Sequence, residues 1–311
     1  MRRWDGLLER YLGELQIRGL SSGTVTGRCR ELDRWGSWLK HRRPRPALEE
    51  VGADEVVKYI RTRAPFRSKS TVANVVTALR SMGEFLVREE IWSSNPLRWM
   101  RGPKMDPRAR IPRRIGHQTM EQLWAAAAER RQSYQRYLWL ALLGVLYGTG
   151  LRRGELARLE VKAWNREEGV LRIDGQKTGR ERQVTVPALT WRCLEAYWPQ
   201  RQNLLEQTGR LDEAALFVNQ DGGRLHPRSI SQGLRTLARR CGLERITAHQ
   251  FRHSCASDLL EDGVGLPQIQ RMLGHQTITT TVRYLHVADP QRHEAVKLHP
   301  INRMLQSGGA A

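Results

Sequence analysis

The chain has 311 residues, 40% hydrophobic and 27% charged. That is enough apolar material for two domains of ordinary size, and it excludes wholesale disorder or dependence on disulfide staples. Its 52 Lys+Arg against 32 Asp+Glu leave a net charge of +20. The excess divides evenly between residues 1–111 and 112–311, so no single basic tail carries it. A surface this self-repelling points to a polyanionic partner, nucleic acid first. The four cysteines (Cys29, Cys193, Cys241, Cys255) form no CxxC pair, which gives no signal of a zinc module. MRRWDGLLER lacks an apolar signal core, and the longest apolar run, Tyr137–Tyr147, falls well short of the ~18 residues that span a bilayer. The expected location is cytoplasmic.

The first hundred residues read as four amphipathic helices. Leu7, Leu8, Tyr11, Leu12 and Leu15 recur at helical spacing in the first. Ser21 or Ser22 can cap the second, which carries Leu32, Trp35, Trp38 and Leu39 on one face. The two prolines of His41–Pro46 break it. A third starts at Asp54 through Val56, Val57 and Ile60, and a fourth spans about Ser70–Glu90 with Val72, Val75, Val76, Leu79, Met82, Phe85 and Leu86 as its stripe. Asn95–Gly116 then holds four prolines and no sustained period. It reads as a linker whose Arg98, Arg101, Lys104, Arg108, Arg110, Arg113 and Arg114 lie along phosphates.

The remainder is mixed. A helix at about Thr119–Glu129 precedes the apolar Tyr137–Tyr147 helix, which Gly148-Thr149-Gly150 ends, and another begins at Arg153. Val170–Asp174 and Gln183–Val186 alternate like the strands of a β-hairpin turning through QKTGRE. Helices are expected from Trp191 to the end.

Chemistry-bearing residues concentrate in four segments: GTGLRRGELARL (148–159), DGQKTGRERQVTVP (174–187), TAHQFRHSCASDLL (247–260) and LGHQTITTTVRYLHV (273–287). Together they supply two permanent cations (Arg152, Arg252), a cation able to release a proton (Lys177), two imidazoles (His249, His275) and a hydroxyl nucleophile (Tyr284). That set suits phosphoryl transfer without a metal. The planar fork of Arg clamps non-bridging oxygens bidentately. Lys, whose pKa falls among other cations, can protonate a departing oxygen. His249 and Arg252 stand at i and i+3 on one helix face, Gly274 is placed to end a helix in the left-handed conformation, and an attacking tyrosine conserves the energy of the broken linkage as a phosphotyrosine. His249-Gln250-Phe251-Arg252-His253 mimics a zinc HExxH, but Gln cannot be its base and Arg252 would repel a dication.

On these motifs the chain resembles the tyrosine recombinases of the phage-integrase superfamily, nearest in layout to the Xer and transposon-type members. The resemblance implies a mostly α fold with a small β-sheet (α+β). Its parts are a helical SAM-like core-binding domain (1–94), the basic linker (95–116), a catalytic domain (117–290), and a C-terminal tail (291–311) able to dock on a neighbouring subunit. Arg152 falls on the family's first arginine in "TGLRxxEL" and Glu155 on its acidic support. Lys177 falls on the hairpin lysine of "KTGRxRxVxVP", His249 and Arg252 on "HxxRH", His275 on "LGH", and Tyr284 on the nucleophile. Arg153 and Arg180 join the expected DNA contacts. Phe251 stands where Leu is usual and Asp258 where His is common. The implied activity is site-specific recombination through a 3′-phosphotyrosine and a Holliday junction, with neither metal nor cofactor. The implied partners are duplex DNA with inverted-repeat core sites and a tetramer of this chain or with a related recombinase, in a prokaryotic nucleoid. Two alternatives remain at this stage: a catalytically silent DNA-binding protein on the same fold, and a type IB-like topoisomerase.

Overall fold

The computed structural model describes residues 2–63, 68–104, 114–175 and 181–274. Arg108, Arg110, Arg113, Lys177, Arg180, His275, Tyr284 and the tail lie outside the described residues. The chain forms two compact units, 1–110 and 111–311.

In the first unit, α1 (Arg2–Ile17), α2 (Ser22–Lys40), α3 (Ala53–Arg63) and α4 (Lys69–Arg88) pack around Leu15, Leu32, Trp35, Val56, Leu79, Met82 and Leu86, each fully buried. Of the two serines available, Ser21 is the cap of α2, its Oγ accepting from the Thr24 N–H; Ser68 does the same for α4. Trp35 is met edge-on by Trp4 and Trp92, with centroids 5.4 and 6.5 Å away. Such T-shaped packing lets an aromatic edge face the electron-rich ring. Buried Glu31 accepts a hydrogen bond from the Tyr59 hydroxyl at 2.5 Å.

The stretch expected as linker begins later than its composition implies. Leu97 is 1% exposed in the N-terminal core, and Met100 packs against it. The Asn95 side chain fixes this turn by donating to the Arg80 carbonyl at 3.0 Å and accepting from the Leu97 N–H at 2.9 Å. At the other end of the stretch, Ile115 is buried in the core of the second unit. Prolines announce a break in periodicity, but they do not forbid a single leucine from packing.

In the second unit, the apolar α6 (Ser133–Thr149) is the central helix. It is contacted by α5 (His117–Ala128), α8 (Ala188–Thr208) and α10 (Ala248–Glu261). Between them the chain forms α7 (Arg153–Arg158) and an antiparallel sheet, β1 (Trp164–Asn165), β2 (Val170–Ile173) and β3 (Arg182–Thr185), in the order β1-β2-β3. The β2–β3 register pairs Leu171 with Val184 and puts both in the core, as period-2 alternation requires. β1 is only two residues long, too short for any periodicity, and is held by buried Trp164. The helices expected from Trp191 onward are separated, between α8 and α9 (Pro227–Arg240), by a non-helical connection. There Gly209 takes φ +66° at the end of α8, and residues 210–226 form turns and bends with two isolated antiparallel bridges, Glu160 to Ala215 and Val218 to Arg224. The Arg201 guanidinium, 2% exposed, donates to the Ala215 carbonyl at 2.7 Å and the Glu213 carbonyl at 2.6 Å, which ties this segment to α8. The fold ends, among the described residues, with α11 (Leu266–Leu273). No described helix is long and apolar enough to cross a membrane.

Arg201→Met would leave the buried Ala215 carbonyl and the partly buried Glu213 carbonyl without their donor. A loss of roughly 2–4 kcal/mol is expected, read as a lower urea midpoint. Arg201→Lys should recover little of it, because one ammonium cannot reproduce the fork.

Candidate active site

The site grows from chain ends. α6 stops at Gly150, whose φ of +62° is the left-handed region. A Cβ there would lie 2.4 Å from Leu273 Cδ2, so only glycine lets the end of α11 approach so closely. Two residues on, Arg152 caps α7. Its own N–H donates to Glu155 Oε2 at 2.8 Å and its guanidinium to Glu155 Oε1 at 2.7 Å. α11 ends the same way at Gly274, φ +66°, as its sequence position predicts. A Cβ there would stand 2.9 Å from an Arg182 nitrogen.

Three guanidiniums converge on these ends. Arg252, 2% exposed on α10, donates to the Gly150 carbonyl at 2.8 Å and the Leu273 carbonyl at 2.7 Å, joining the terminus of α6 to that of α11. Arg152 reaches the Gly274 carbonyl at 3.4 Å. Arg182, at the start of β3, donates through Nε to the Met272 carbonyl at 3.0 Å and through its fork to both Glu155 oxygens at 3.2 and 2.9 Å. Helix C-termini carry unsatisfied carbonyls and partial negative charge, so cations are favoured there.

Glu155 is 3% exposed. Burial alone would raise its pKa. The hydrogen bonds from Arg182 and from the Arg152 backbone and side chain outweigh burial and hold the carboxyl at about 2. It is therefore an anion at any working pH, and three guanidiniums against one carboxylate leave the pocket positive. His249 sits on the first turn of α10, which Thr247 and Gln250 close by a reciprocal capping box. Although His249 is exposed by area, the protein atoms crowded around it, then the Arg252 and Arg152 charges, lower its pKa. It is thus a neutral imidazole at pH 7, able to accept a proton. Among the expected site residues, Arg152, Glu155, His249 and Arg252 come together; Lys177, His275 and Tyr284 lie outside the described residues.

Two members of this arrangement escape the sequence reading. Arg182 falls between the expected turn and the strand expected from Gln183, and its buried pairing follows from tertiary contacts. Arg158 grips Asp174 through two bonds of 2.7 and 2.9 Å. Arg158 and Arg182 thus tie the end of β2 and the start of β3, the two feet of the hairpin expected to carry Lys177, to α7 and its Glu155.

The expected DNA contacts divide. Arg98, Arg101, Lys104 and Arg153 are exposed; Arg98 stacks over Trp99, which is 84% exposed, and Arg153 donates to Ser231. Arg114 differs from these in its surroundings. Its guanidinium is only 26% exposed and pairs with Asp258 and Glu261, so its charge is answered inside the protein. α9 supplies cations the sequence reading passed over. Arg228, Arg235, Arg239 and Arg240 stand on it without an acidic residue in the helix, and none pairs with a carboxylate among the described residues.

His253, one residue beyond Arg252, is 2% exposed; burial first, then the His249 and Arg114 charges, lower its pKa to about 4. Between pH 6.5 and 4 the unfolded chain binds a proton that the folded chain refuses, so stability falls as pH falls through that window, by at most about 3 kcal/mol. Glu155 adds a further loss between about 4.5 and 2. Melting temperatures taken from pH 7 to 4 should decline below about 6.5, and His253→Gln should flatten that slope.

Residues 113–291 match the phage integrase family and residues 8–90 the N-terminal SAM-like domain of phage integrases. The chain is 32% identical over 284 residues to tyrosine recombinase XerD of Oceanobacillus iheyensis, covering 90% of this chain and 93% of that protein. It is 32% identical over 302 residues to tyrosine recombinase XerC of Myxococcus xanthus, covering 94% and 97%. In fold it is similar to a lambda integrase dimer bound to a COC′ core site, with TM-score 0.68, 18% identity and coverage of 90% and 76%. It is also similar to XerH recombinase bound to difH substrate before cleavage, with TM-score 0.65, 18% identity and coverage of 88% and 78%. The two-unit architecture, the arginine cluster on Glu155 and these matches together mean that the chain belongs to the phage integrase family of tyrosine recombinases.

Proposed function

We propose that this tyrosine recombinase cleaves and rejoins duplex DNA at specific sites by a two-step phosphoryl exchange. Arg152, Arg252 and His275 hold the scissile phosphate and offset its charge; His249, neutral at pH 7, supports proton movement at the attacking oxygen. The Tyr284 oxygen attacks phosphorus, the P–O5′ bond breaks, and Lys177 gives the departing 5′ oxygen its proton. The resulting 3′-phosphotyrosine is attacked by the 5′ hydroxyl of the partner strand, which restores a phosphodiester and frees the tyrosine. Bond energy is conserved at each step, so the exchange runs through a Holliday junction with no high-energy cofactor. The observation that carries this reading is the convergence of Arg152 and Arg252 on the carbonyls of Leu273 and Gly274, which fixes the peptide immediately before His275 against both cations.

The surface charge supports a DNA partner. Arg98, Arg101, Lys104, Arg153 and the arginines of α9 are the proposed phosphate contacts, joined by Arg108, Arg110, Arg113 and Arg180. The reading extends to a tetramer on two inverted-repeat sites in a prokaryotic cytoplasm, as the crystal structure of a lambda integrase tetramer bound to a Holliday junction illustrates for that protein.

The test uses a duplex selected from a random pool by the wild-type protein and nicked beside the cleavage position. Tyr284→Phe should bind it unchanged and form no denaturation-resistant adduct; an adduct at wild-type level would remove Tyr284 from the chemistry. Lys177→Ala should cleave on the order of a hundredfold more slowly, and a bridging 5′ phosphorothiolate, whose sulfur leaves without an acid, should restore the rate. Affinity should drop steeply with added salt as phosphate contacts release counterions.

A further inference from the structure

Ser254, Asp258 and Glu261 stand at i, i+4 and i+7 on α10 and so form one stripe along it. The stripe grips the segment at residues 114–115. The Ile115 N–H donates to Ser254 Oγ at 2.8 Å, with both residues buried. The Arg114 guanidinium pairs with Asp258 Oδ1 at 2.5 Å and also with Glu261. Asp258, its side chain 14% exposed, also accepts from the Tyr147 hydroxyl of α6 at 2.5 Å. One carboxylate thus joins three pieces of chain: the segment entering from the basic stretch, the central helix, and the helix that bears His249 and Arg252.

Two features separate this cluster from the phosphate-contacting cations. A phosphate reaching Arg114 would meet the like charges of Asp258 and Glu261 and would have to displace both. Asp258 also occupies a position where the resemblance leads one to expect histidine, which would not attract Arg114. The pair is an internal contact of the second unit. It is partly buried, where screening by salt is weaker than at the surface.

We propose that Arg114 and Asp258 are positioning residues for strand cleavage. Their pairing anchors the chain's entry into the catalytic unit to α10 and holds that helix against α6. His249 and Arg252, nine and six residues before Asp258, then meet the phosphate in register. The proposal rests on the recombinase reading above, and neither residue touches the reacting atoms.

The experiment compares Arg114→Gln, Asp258→Asn, the double variant and Arg114→Lys in the full chain, on the selected duplex and its nicked form. Each single neutral variant should slow single-turnover adduct formation at saturating protein about tenfold, the scale expected of a modest misplacement, while affinity stays within about twofold. The double variant should be no slower than the worse single, because both break one link, and Arg114→Lys should recover most of the rate. A several-fold loss of affinity in Arg114→Gln with none in Asp258→Asn would overturn the proposal and make Arg114 a phosphate contact. Unchanged cleavage in both would also overturn it. Should the wild-type protein form no adduct, the recombinase reading fails instead, and amide exchange over residues 248–254 decides the link: faster exchange in both neutral variants supports it, and wild-type exchange in either rejects it.

Discussion

Removing a carboxylate from water costs several kcal/mol unless donors meet its oxygens, and at Glu155 that requirement draws the catalytic unit together. The donors come from the residue that caps its own helix, Arg152, and from the first residue of β3, Arg182. Because Arg182 also holds the Met272 carbonyl and Arg152 the Gly274 carbonyl, satisfying one buried anion sets the relative positions of α7, the hairpin and the end of α11. Arg252 completes the ring by bridging the termini of α6 and α11. The carbonyls left over at helix ends are thus answered by cations that the proposed chemistry also requires.

This arrangement resolves a difficulty intrinsic to any site for a phosphodiester. Guanidiniums gathered closely enough to grip one phosphate repel each other before it arrives. Glu155 and four helix-terminal carbonyls offset that repulsion, one carboxylate and four backbone dipoles against three full positive charges. The remaining positive potential is fixed in place before any ligand binds, the condition under which electrostatic stabilisation is most effective. His249, whose pKa is lowered first by the protein atoms around it and then by the Arg252 and Arg152 charges, is a consequence of the cluster as much as a member of it.

Close approach is the second constraint. The ends of α6 and α11 can meet only because Gly150 and Gly274 take positive φ and present no Cβ to Leu273 and Arg182. The same economy governs the N-terminal unit, where Trp35 is enclosed by two further indoles and the chain beyond α4 is pinned through Asn95.

Much was legible in the chain alone. Helical spacing of apolar residues gave the four N-terminal helices, the long apolar run gave the central helix, and alternation gave the hairpin, since burial of one face imposes a period of about 3.6 on a helix and about 2 on a strand. Arg152, His249 and Arg252 were recognisable as residue types suited to phosphoryl chemistry, and the resemblance to the recombinase family added Glu155 to them. What composition and spacing could not supply was partnership. Arg114 and Arg98 look alike in a basic stretch, yet one faces two carboxylates and the other solvent; Arg182 and Arg158 read as ordinary polar positions until the fold brings Glu155 and Asp174 to them. Leu97 joined a core its proline-rich surroundings disguised, and the irregular connection after α8 is tied back by buried Arg201 through the carbonyls of Glu213 and Ala215. Periodicity is a property of neighbours in sequence, whereas which charge meets which is decided by contacts between residues far apart in the chain, and only the folded molecule contains them.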